Sequence, residues 1–298
     1  MKVLKGVKAM KPFTYHAPVT VAEAAALLDR YQDSVAVVAG GTDVVIELNE
    51  KQKTPAHVVD ISKLKELRYV KEEDGMVKLG ALNTFTELEN NPYIQEKLPA
   101  LIETVSHVGS PQIRNLGTIG GNVVNASVAG DSPTVFLAYG AQVVLQSVQG
   151  ERVMTLEDFN KGPGNCQIRP NELLTEIRFP ALTADEAVGY FKIGKRKSLA
   201  IVVLAVSMYI RRTADNHVED CRVILGAVSK HPMRVPALEQ QIRGLELTEE
   251  SLYETLPLFT DAVQAAIPTR ASVIYKREGV RGAARRCFDQ ILLQLGEA

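Results

Sequence analysis

The chain has 298 residues, of which 46% are hydrophobic, and its 34 Lys and Arg nearly balance its 35 Asp and Glu. This length exceeds the roughly 100–200 residues typical of one domain, so two or three subdomains are expected. The balanced charge provides no overall field that favours nucleic acid, and no run reaches the roughly 18 apolar residues that a membrane span requires.

The N-terminal part predicts a helix, followed by a buried strand that ends in two glycines. Val21–Tyr31 has apolar residues at helical spacing. Ser34–Ala39 is a short β-branched run that leads directly into Gly40 and Gly41, so the glycines are expected at a strand exit. The segment after them, Val44–Leu48, fits either a helix or a strand.

The rest of the chain mixes predicted strands and helices, without an internal repeat. Apolar and β-branched runs predict strands at Ala56–Ile61, Met76–Ala81, Gln142–Gln146, Glu176–Phe179, Ile201–Ile210 and Cys221–Val228. Helical spacing predicts helices at Thr84–Glu89, Leu98–Val108, Thr134–Tyr139, Pro236–Ile242, Ser251–Ala265 and Val280–Leu295. A loop rich in Gly and Pro precedes a main boundary near residue 178, and a weaker boundary lies near residue 55. The predicted subdomains are therefore 1–55, 56–178 and 179–298.

Two glycine-rich segments, 40–43 and 117–122, are predicted to be turns that bind a ligand. Glycines at a strand exit expose consecutive backbone N–H groups, which can surround an anion such as a pyrophosphate. One such turn is more often structural than functional, whereas a pair could clamp an extended dinucleotide. Neither segment has the Lys of a phosphate-binding P-loop or the glycine spacing of a Rossmann unit.

Several polar residues outside these segments have no assignment from the pattern alone. Asp131 precedes a predicted helix start, so a capping role and a ligand contact both stay open. The basic run 192–197 is typical of solvated surface. His107 and His231 are more typical of ordinary helix or loop histidines than of metal ligands, so no metal site is predicted. No residue stands out as a catalytic acid or base.

The chain start and the cysteines limit the compartment and the redox chemistry. Met1–Lys8 is basic but has no apolar stretch behind it, so we expect no signal peptide and a cytoplasmic protein. Cys166, Cys221 and Cys287 are too far apart in sequence for a disulfide framework, a zinc site or an iron–sulfur cluster. A redox role would therefore depend on an organic cofactor.

Short segments along the whole chain together carry a family resemblance. They are Phe13–Pro18, Ala39–Asp43, Ser110–Asn115, Thr118–Asn122, Phe191–Lys192, Leu225–Val228 and Arg234. In this order they resemble the FAD-binding subunit of the xanthine dehydrogenase and carbon monoxide dehydrogenase family, the molybdenum hydroxylases. The resemblance implies an α+β fold of the vanillyl-alcohol oxidase type. Two subdomains would grip FAD, and a C-terminal α+β subdomain would lie behind them.

The resemblance also implies which residues bind FAD. The pyrophosphate and ribityl region would be held by Ala36, Val37, Val38, Ala39, Gly40, Gly41, Thr42, Asp43, Gly117, Thr118, Ile119, Gly120, Gly121 and Asn122. Asn125 and Asp131 would add polar contacts. Val124 and Leu173 would lie against the isoalloxazine faces, and Lys192 would lie near the far edge of the cofactor. No catalytic residue and no metal ligand is implied on this chain.

The family further implies an iron–sulfur subunit and a molybdopterin-binding subunit as partners. Electrons would pass from the iron–sulfur clusters through FAD to NAD(P)+ or another acceptor. Segments 39–43 and 110–115 look closest to bacterial purine or nicotinate dehydrogenases. Two alternatives stay open: a stand-alone flavin oxidase or reductase, and a non-catalytic nucleotide-binding assembly protein.

Overall fold

The computed structural model describes residues 10–196 and 200–296, so Met1–Lys8 and Lys197 lie outside the described residues. The helices are α1 (Val21–Tyr31), α2 (Val44–Asn49), α3 (Phe85–Glu89), α4 (Pro92–Lys97), α5 (Pro99–Ser106), α6 (Pro111–Leu116), α7 (Ile119–Asn125), α8 (Asp131–Tyr139), α9 (Leu156–Phe159), α10 (Pro236–Ile242), α11 (Glu249–Glu254), α12 (Leu256–Ala266) and α13 (Val273–Leu295).

The strands are β1 (Thr14–His16), β2 (Val35–Val38), β3 (His57–Asp60), β4 (Val70–Glu73), β5 (Met76–Gly80), β6 (Gln142–Ser147), β7 (Gly150–Thr155), β8 (Asn160–Gly162), β9 (Asn165–Cys166), β10 (Leu173–Pro180), β11 (Glu186–Gly194), β12 (Val202–Arg212), β13 (Val218–Gly226) and β14 (Met233–Arg234). These elements confirm the predicted α+β class. Val44–Leu48, which fitted either state, is helical, and the last helix begins seven residues earlier than predicted, at Val273 rather than Val280.

The first sheet is a small parallel one with strand order β1-β3-β2. Ala24 and Leu28 on α1 are fully buried, and they pack with Val59 in one apolar cluster. The central strand β3 begins at His57, so the boundary predicted near residue 55 falls between two strands of one sheet. We propose that the first subdomain extends to Asp60.

The second sheet is antiparallel with strand order β4-β5-β10-β6-β7. Its core contains Phe136, Tyr139 and Phe179, which are fully buried. Tyr139 and Phe179 stack with ring centroids 4.6 Å apart. The main boundary predicted near residue 178 falls inside β10, which pairs with β5 as far as Pro180. We propose that the second subdomain ends just after this strand.

The third sheet, with order β11-β12-β13-β14, lies between two helical layers. Helix α13 packs on one face through residues such as Phe288, while α5 and α8 pack on the other. That second face places Tyr190 and Ile224 in the same apolar cluster as Phe136 of the second subdomain. The second and third subdomains therefore share a core.

Candidate functional site

A groove of about 670 Å³ runs between the first and second subdomains. Most of the residues implied by the resemblance line it, namely Ala36, Val37, Ala39, Gly40, Gly41, Thr42, Asp43, Gly117, Thr118, Gly120, Gly121, Asn122, Val124, Asn125 and Leu173. Residues more than 130 positions apart in sequence thus meet in one cavity. Its volume is within the range of about 300–1,000 Å³ that is common for small-molecule sites.

The first glycine segment leaves backbone donors available to a ligand. Gly40 follows the exit of β2, and Gly41 has a φ of +72°, a left-handed conformation that glycine adopts without strain. The N–H groups of Gly40, Gly41 and Thr42 donate no hydrogen bond within the described residues. Adjacent free donors of this kind suit phosphate oxygens.

Gly40 is also required for close contact between the two glycine segments. A Cβ atom placed on Gly40 would overlap the carbonyl oxygen of Leu116 and would lie 3.1 Å from the backbone nitrogen of Gly117. Because these are backbone atoms, no side-chain rotation can relieve the overlap. Glycine at this position therefore lets the loop after β2 lie directly against the end of α6.

The second glycine segment is not the turn that the sequence predicted, because residues 119–125 form α7. Thr118 caps this helix, and its hydroxyl accepts a hydrogen bond from the N–H of Gly121 at 3.1 Å. The N–H groups of Ile119 and Gly120 donate to the carbonyl oxygens of Asn83 and Ala81. These donors are already used inside the protein, so they are not the free backbone donors that the sequence predicted for this segment.

The glycines of α7 serve close packing. A Cβ atom on Gly120 would lie 2.7 Å from both the Cβ atom and the carbonyl oxygen of Ala81. Glycine therefore lets the start of α7 rest on the end of β5. Asn122 on the next turn faces the groove, and its side-chain oxygen accepts a hydrogen bond from Ser132 Oγ at 2.6 Å.

The groove has a largely apolar wall that the sequence did not predict. Its additional lining residues include Leu82, Phe85, Val108, Ile113, Ile168 and Leu174. Such side chains suit a flat ring system that is kept out of water. Val108 lies just before the segment Ser110–Asn115 and Ile113 lies within it, but an apolar residue in or beside a motif does not show by itself that it faces a cavity.

One buried carboxylate, Glu172, also lines the groove and is fully paired. Arg152 Nε and Nη2 donate to its two oxygens at 2.8 and 2.7 Å. The backbone N–H of Arg169 adds a third hydrogen bond at 2.8 Å. Burial raises the pKa of Glu172, but these donors outweigh it and hold the pKa below its ordinary value. Glu172 therefore stays ionised and stabilises the loop that precedes β10.

Four residues implied by the resemblance do not line the groove. Ile119 is fully buried in the core, and Val38 is not among the residues that line the groove. Asp131 and Lys192 form a buried ion pair with a distance of 2.6 Å between Oδ2 and Nζ, and their side chains are 7% and 8% exposed.

Further hydrogen bonds complete this ion pair. Tyr190 Oη donates to the other carboxylate oxygen of Asp131 at 3.1 Å, and Lys192 Nζ also donates to the carbonyl oxygen of His107 at 2.9 Å. Burial raises the pKa of Asp131, and the Lys192 ammonium opposes that shift. Asp131 is thus neither a helix cap nor an open ligand contact; it joins α8 to β11.

A second cavity of about 780 Å³ lies on the other side of segment 107–114. His107, Pro111 and Arg114 face this second cavity, whereas Val108 and Ile113 face the groove. Its remaining lining includes Tyr190, Phe191, Lys192, Lys195 and Arg196. One short segment thus separates a largely apolar groove from a cavity with a basic lining.

The arrangement fits binding and positioning of a cofactor. Among the described residues, no group of three or more His, Cys, Asp or Glu side chains could hold a metal ion, and the three cysteines are free. No helix within residues 10–196 and 200–296 is long and apolar enough to cross a membrane. The free donors after β2 and the apolar wall together match an extended ligand with an anionic part and a flat part.

Comparisons with known proteins agree with this geometry. Two family models match the chain. The family described as the FAD binding domain in molybdopterin dehydrogenase matches residues 11–182, and the family described as the CO dehydrogenase flavoprotein C-terminal domain matches residues 189–291. The nicotinate dehydrogenase FAD-subunit of Eubacterium barkeri is 42% identical, over 96% of this chain and 98% of the relative. The xanthine dehydrogenase FAD-binding subunit of Escherichia coli O157:H7 is 34% identical over 87% of each chain.

The fold is shared with solved structures of the same group. A chain of carbon monoxide dehydrogenase from Hydrogenophaga pseudoflava, in a form that lacks the Mo-pyranopterin moiety of the molybdenum cofactor, superposes with a TM-score of 0.86. It is 28% identical in sequence, and the match covers 96% of this chain and 99% of that one.

Proposed function

The chain belongs to the FAD-binding subunits of the xanthine dehydrogenase and carbon monoxide dehydrogenase family, and from this premise we propose its place in a larger enzyme. We propose that it carries electrons within a molybdenum hydroxylase whose other subunits hold molybdopterin and iron–sulfur clusters. The 42% identity to a nicotinate dehydrogenase FAD-subunit supports a heteroaromatic substrate of the nicotinate or purine class for the holoenzyme.

The observation that carries the proposal is the groove with its free backbone donors. Gly40, Gly41 and Thr42 would hold the pyrophosphate, because their N–H groups have no partner within the described residues. Val124 and Leu173 would lie against the ring system, in a lining that is mostly apolar. Bound FAD supplies the ability to take up electrons and pass them on in pairs. The chain itself binds the cofactor, orients it and keeps water from its ring.

The second cavity is our candidate site for the electron acceptor. Its lining contains the basic residues Lys195, Arg196 and Arg114, of which Arg114 is paired with Glu89, and one acidic residue, Glu103. Phosphate groups pair well with such side chains. NAD(P)+ carries several phosphates, so it fits this cavity better than an uncharged acceptor does. Segment 107–114 would then separate the acceptor from the groove by the thickness of one backbone.

The test is flavin content in the purified chain. We expect the wild-type chain to retain equimolar FAD, seen in its visible absorption spectrum, and to rebind added FAD after the flavin is stripped. Asp43→Ala combined with Gly121→Val should lower the FAD occupancy. A Cβ atom added at Gly121 would lie 2.9 Å from the hydroxyl oxygen of Thr118 that caps α7. Gly282→Val is the matched control, since a Cβ on Gly282 meets nothing within 4 Å.

Two results would contradict the proposal. A wild-type chain that does not bind added FAD would exclude the cofactor assignment. A double variant that retains as much flavin as wild type would show that the groove is not the site. For the acceptor, NADH should bleach the flavin absorption under anaerobic conditions, and no bleaching at millimolar NADH would rule out pyridine nucleotides.

A further inference from the structure

Two histidines that are 41 positions apart in sequence meet on the first sheet. His16 ends β1 and His57 begins β3, and the two strands pair in parallel with Thr14 opposite His57. Side chains at alternate positions of a strand lie on the same face, so His16 and His57 share one face of the sheet. His16 Nε2 and His57 Nδ1 are 3.1 Å apart. Two ring nitrogens therefore face each other across neighbouring strands.

An aromatic side chain at the end of α1 packs against this histidine pair. The Tyr31 ring stacks on His57 with ring centroids 3.7 Å apart, and its centroid lies 5.3 Å from that of His16. The guanidinium of Arg30 lies 5.1 Å from the centroid of the same tyrosine ring. All three rings are half-buried. Contacts from both a strand and a helix therefore limit the rotation of the two imidazoles.

The carboxylate on the same strand as His57 belongs to the other face of the sheet. Asp60 is three residues after His57, and its Oδ2 accepts a hydrogen bond from Tyr15 Oη at 2.6 Å. The N–H of Ser62 donates to its other oxygen at 2.9 Å. Within residues 10–196 and 200–296, neither His16 nor His57 pairs with a carboxylate. A cation at this pair would therefore depend on the two imidazole nitrogens.

The distance between the two facing nitrogens fits a shared metal ion. A neutral imidazole has one N–H and one lone pair, so the hydrogen bond between the rings uses one of each. If the donor ring carries its proton on its other nitrogen, two lone pairs face the gap and the number of protons is unchanged. Metal–nitrogen bonds are about 2.0–2.1 Å long, so nitrogens 3.1 Å apart subtend about 100° at a metal ion. This angle lies between the cis angle of a square plane and the tetrahedral angle.

We propose that His16 and His57 form a binding site for a divalent transition-metal ion, with water at its remaining coordination positions. Imidazole nitrogen suits Zn²⁺, Cu²⁺ and Ni²⁺, whereas Mg²⁺ and Ca²⁺ prefer oxygen ligands. The bound ion links β1 to β3. This link stabilises the edge of the first sheet, since β1 has only three residues and two of them are exposed. Neither histidine lines the groove, so the site is independent of FAD binding.

The experiment measures Zn²⁺ binding to the full chain, purified without an affinity tag and freed of metal with EDTA. We expect one equivalent of Zn²⁺ to depend on the pair in titration calorimetry, and the thermal midpoint to rise with Zn²⁺ and return with EDTA. Loss of an outer-shell partner of a metal ligand weakens binding about 10–100-fold, so His16→Gln and His57→Gln should each weaken it at least about tenfold. His231→Gln is the matched control, because His231 is also half-buried.

Cu²⁺ gives a second readout that does not depend on the folding of a variant. Nitrogen hyperfine coupling in the electron paramagnetic resonance spectrum should show two imidazole nitrogens on Cu²⁺ bound to the wild-type chain. The coupling in each single variant should show one. Absence of Zn²⁺ binding at millimolar concentration, equal affinity of the wild type and both variants, or an equal loss in His231→Gln would overturn the assignment. So would a wild-type Cu²⁺ spectrum without coupling to two nitrogens.

Discussion

Replacing Gly40 with Ala tests the contact on which the groove depends. The added methyl would overlap the backbone carbonyl oxygen of Leu116 and come within 3.1 Å of the nitrogen of Gly117. Overpacking of this kind costs typically about 1–3 kcal/mol, and here the neighbour is backbone, which places the cost toward the upper end. To relieve it, the loop after β2 must move away from α6, which moves the free donors of Gly41 and Thr42. If about 1.4 kcal/mol of that strain opposes the bound geometry, FAD binds tenfold more weakly.

The assay compares Gly40→Ala with Gly282→Ala in urea unfolding and in FAD titration. Gly282 lies inside α13 with nothing within 4 Å of an added Cβ, so the same substitution should stabilise the chain by about 1 kcal/mol through helix propensity. The two variants should therefore shift the unfolding midpoint in opposite directions. Equal midpoints, or a Gly40→Ala chain with wild-type FAD affinity, would refute the argument that this glycine is needed for close approach.

Three further predictions concern buried ionic groups. Arg152→Ala should destabilise the chain by about 3 kcal/mol in urea unfolding, because it leaves the buried carboxylate of Glu172 without its main partner. The control Arg211→Ala removes an exposed ion pair with Glu219 and should cost less than about 1 kcal/mol. Because folding lowers the pKa of Glu172, its contribution to the free energy of unfolding is present above the ordinary pKa of about 4.3 and is lost as the pH falls below that value. Glu172→Gln should therefore reduce the loss of stability at acid pH. An unchanged dependence of stability on pH would contradict the ion pair's role. Lys192→Met should cost about 3–5 kcal/mol by leaving Asp131 buried and unpaired, and adding Asp131→Asn to it should recover part of the loss.

The strand exit at the start of the groove was predictable from sequence because its determinants are local. A β-branched run followed by two glycines predicts a strand exit, and β2 ends at Val38 with Gly40 and Gly41 directly behind it. The ordered segments then indicated which distant residues meet there. The prediction of a turn at 117–122 was wrong because a tertiary contact overrides the local preference of the glycines. Glycines disfavour helices, yet Gly120 and Gly121 are helical, and glycine at position 120 permits α7 to rest on Ala81.

Short strands were missed for a different reason. β4 and β5 form a hairpin whose two-residue turn is Asp74-Gly75, both with positive φ. Asp-Gly between two alternating segments is a strong hairpin pattern, so the sequence did contain the information. β4 is mostly exposed and charged, however, and a strand prediction based on apolar runs passes over it. The pair of Arg152 with Glu172 had no such local indicator, because hydrogen-bonded partners twenty residues apart are brought together only by the sheet.

The start of α8 connects the two cavities and explains why Lys192 lies away from the groove. Ser132 Oγ donates to Asn122 in the groove lining, while its neighbour Asp131 binds Lys192 in the lining of the second cavity. If an anion in the second cavity drew Lys192 away, Asp131 would be left buried without its cation, which costs about 3–5 kcal/mol. A phosphate contact of ordinary strength does not offset that cost. Under the proposed function, an acceptor would therefore bind beside the ion pair without breaking it.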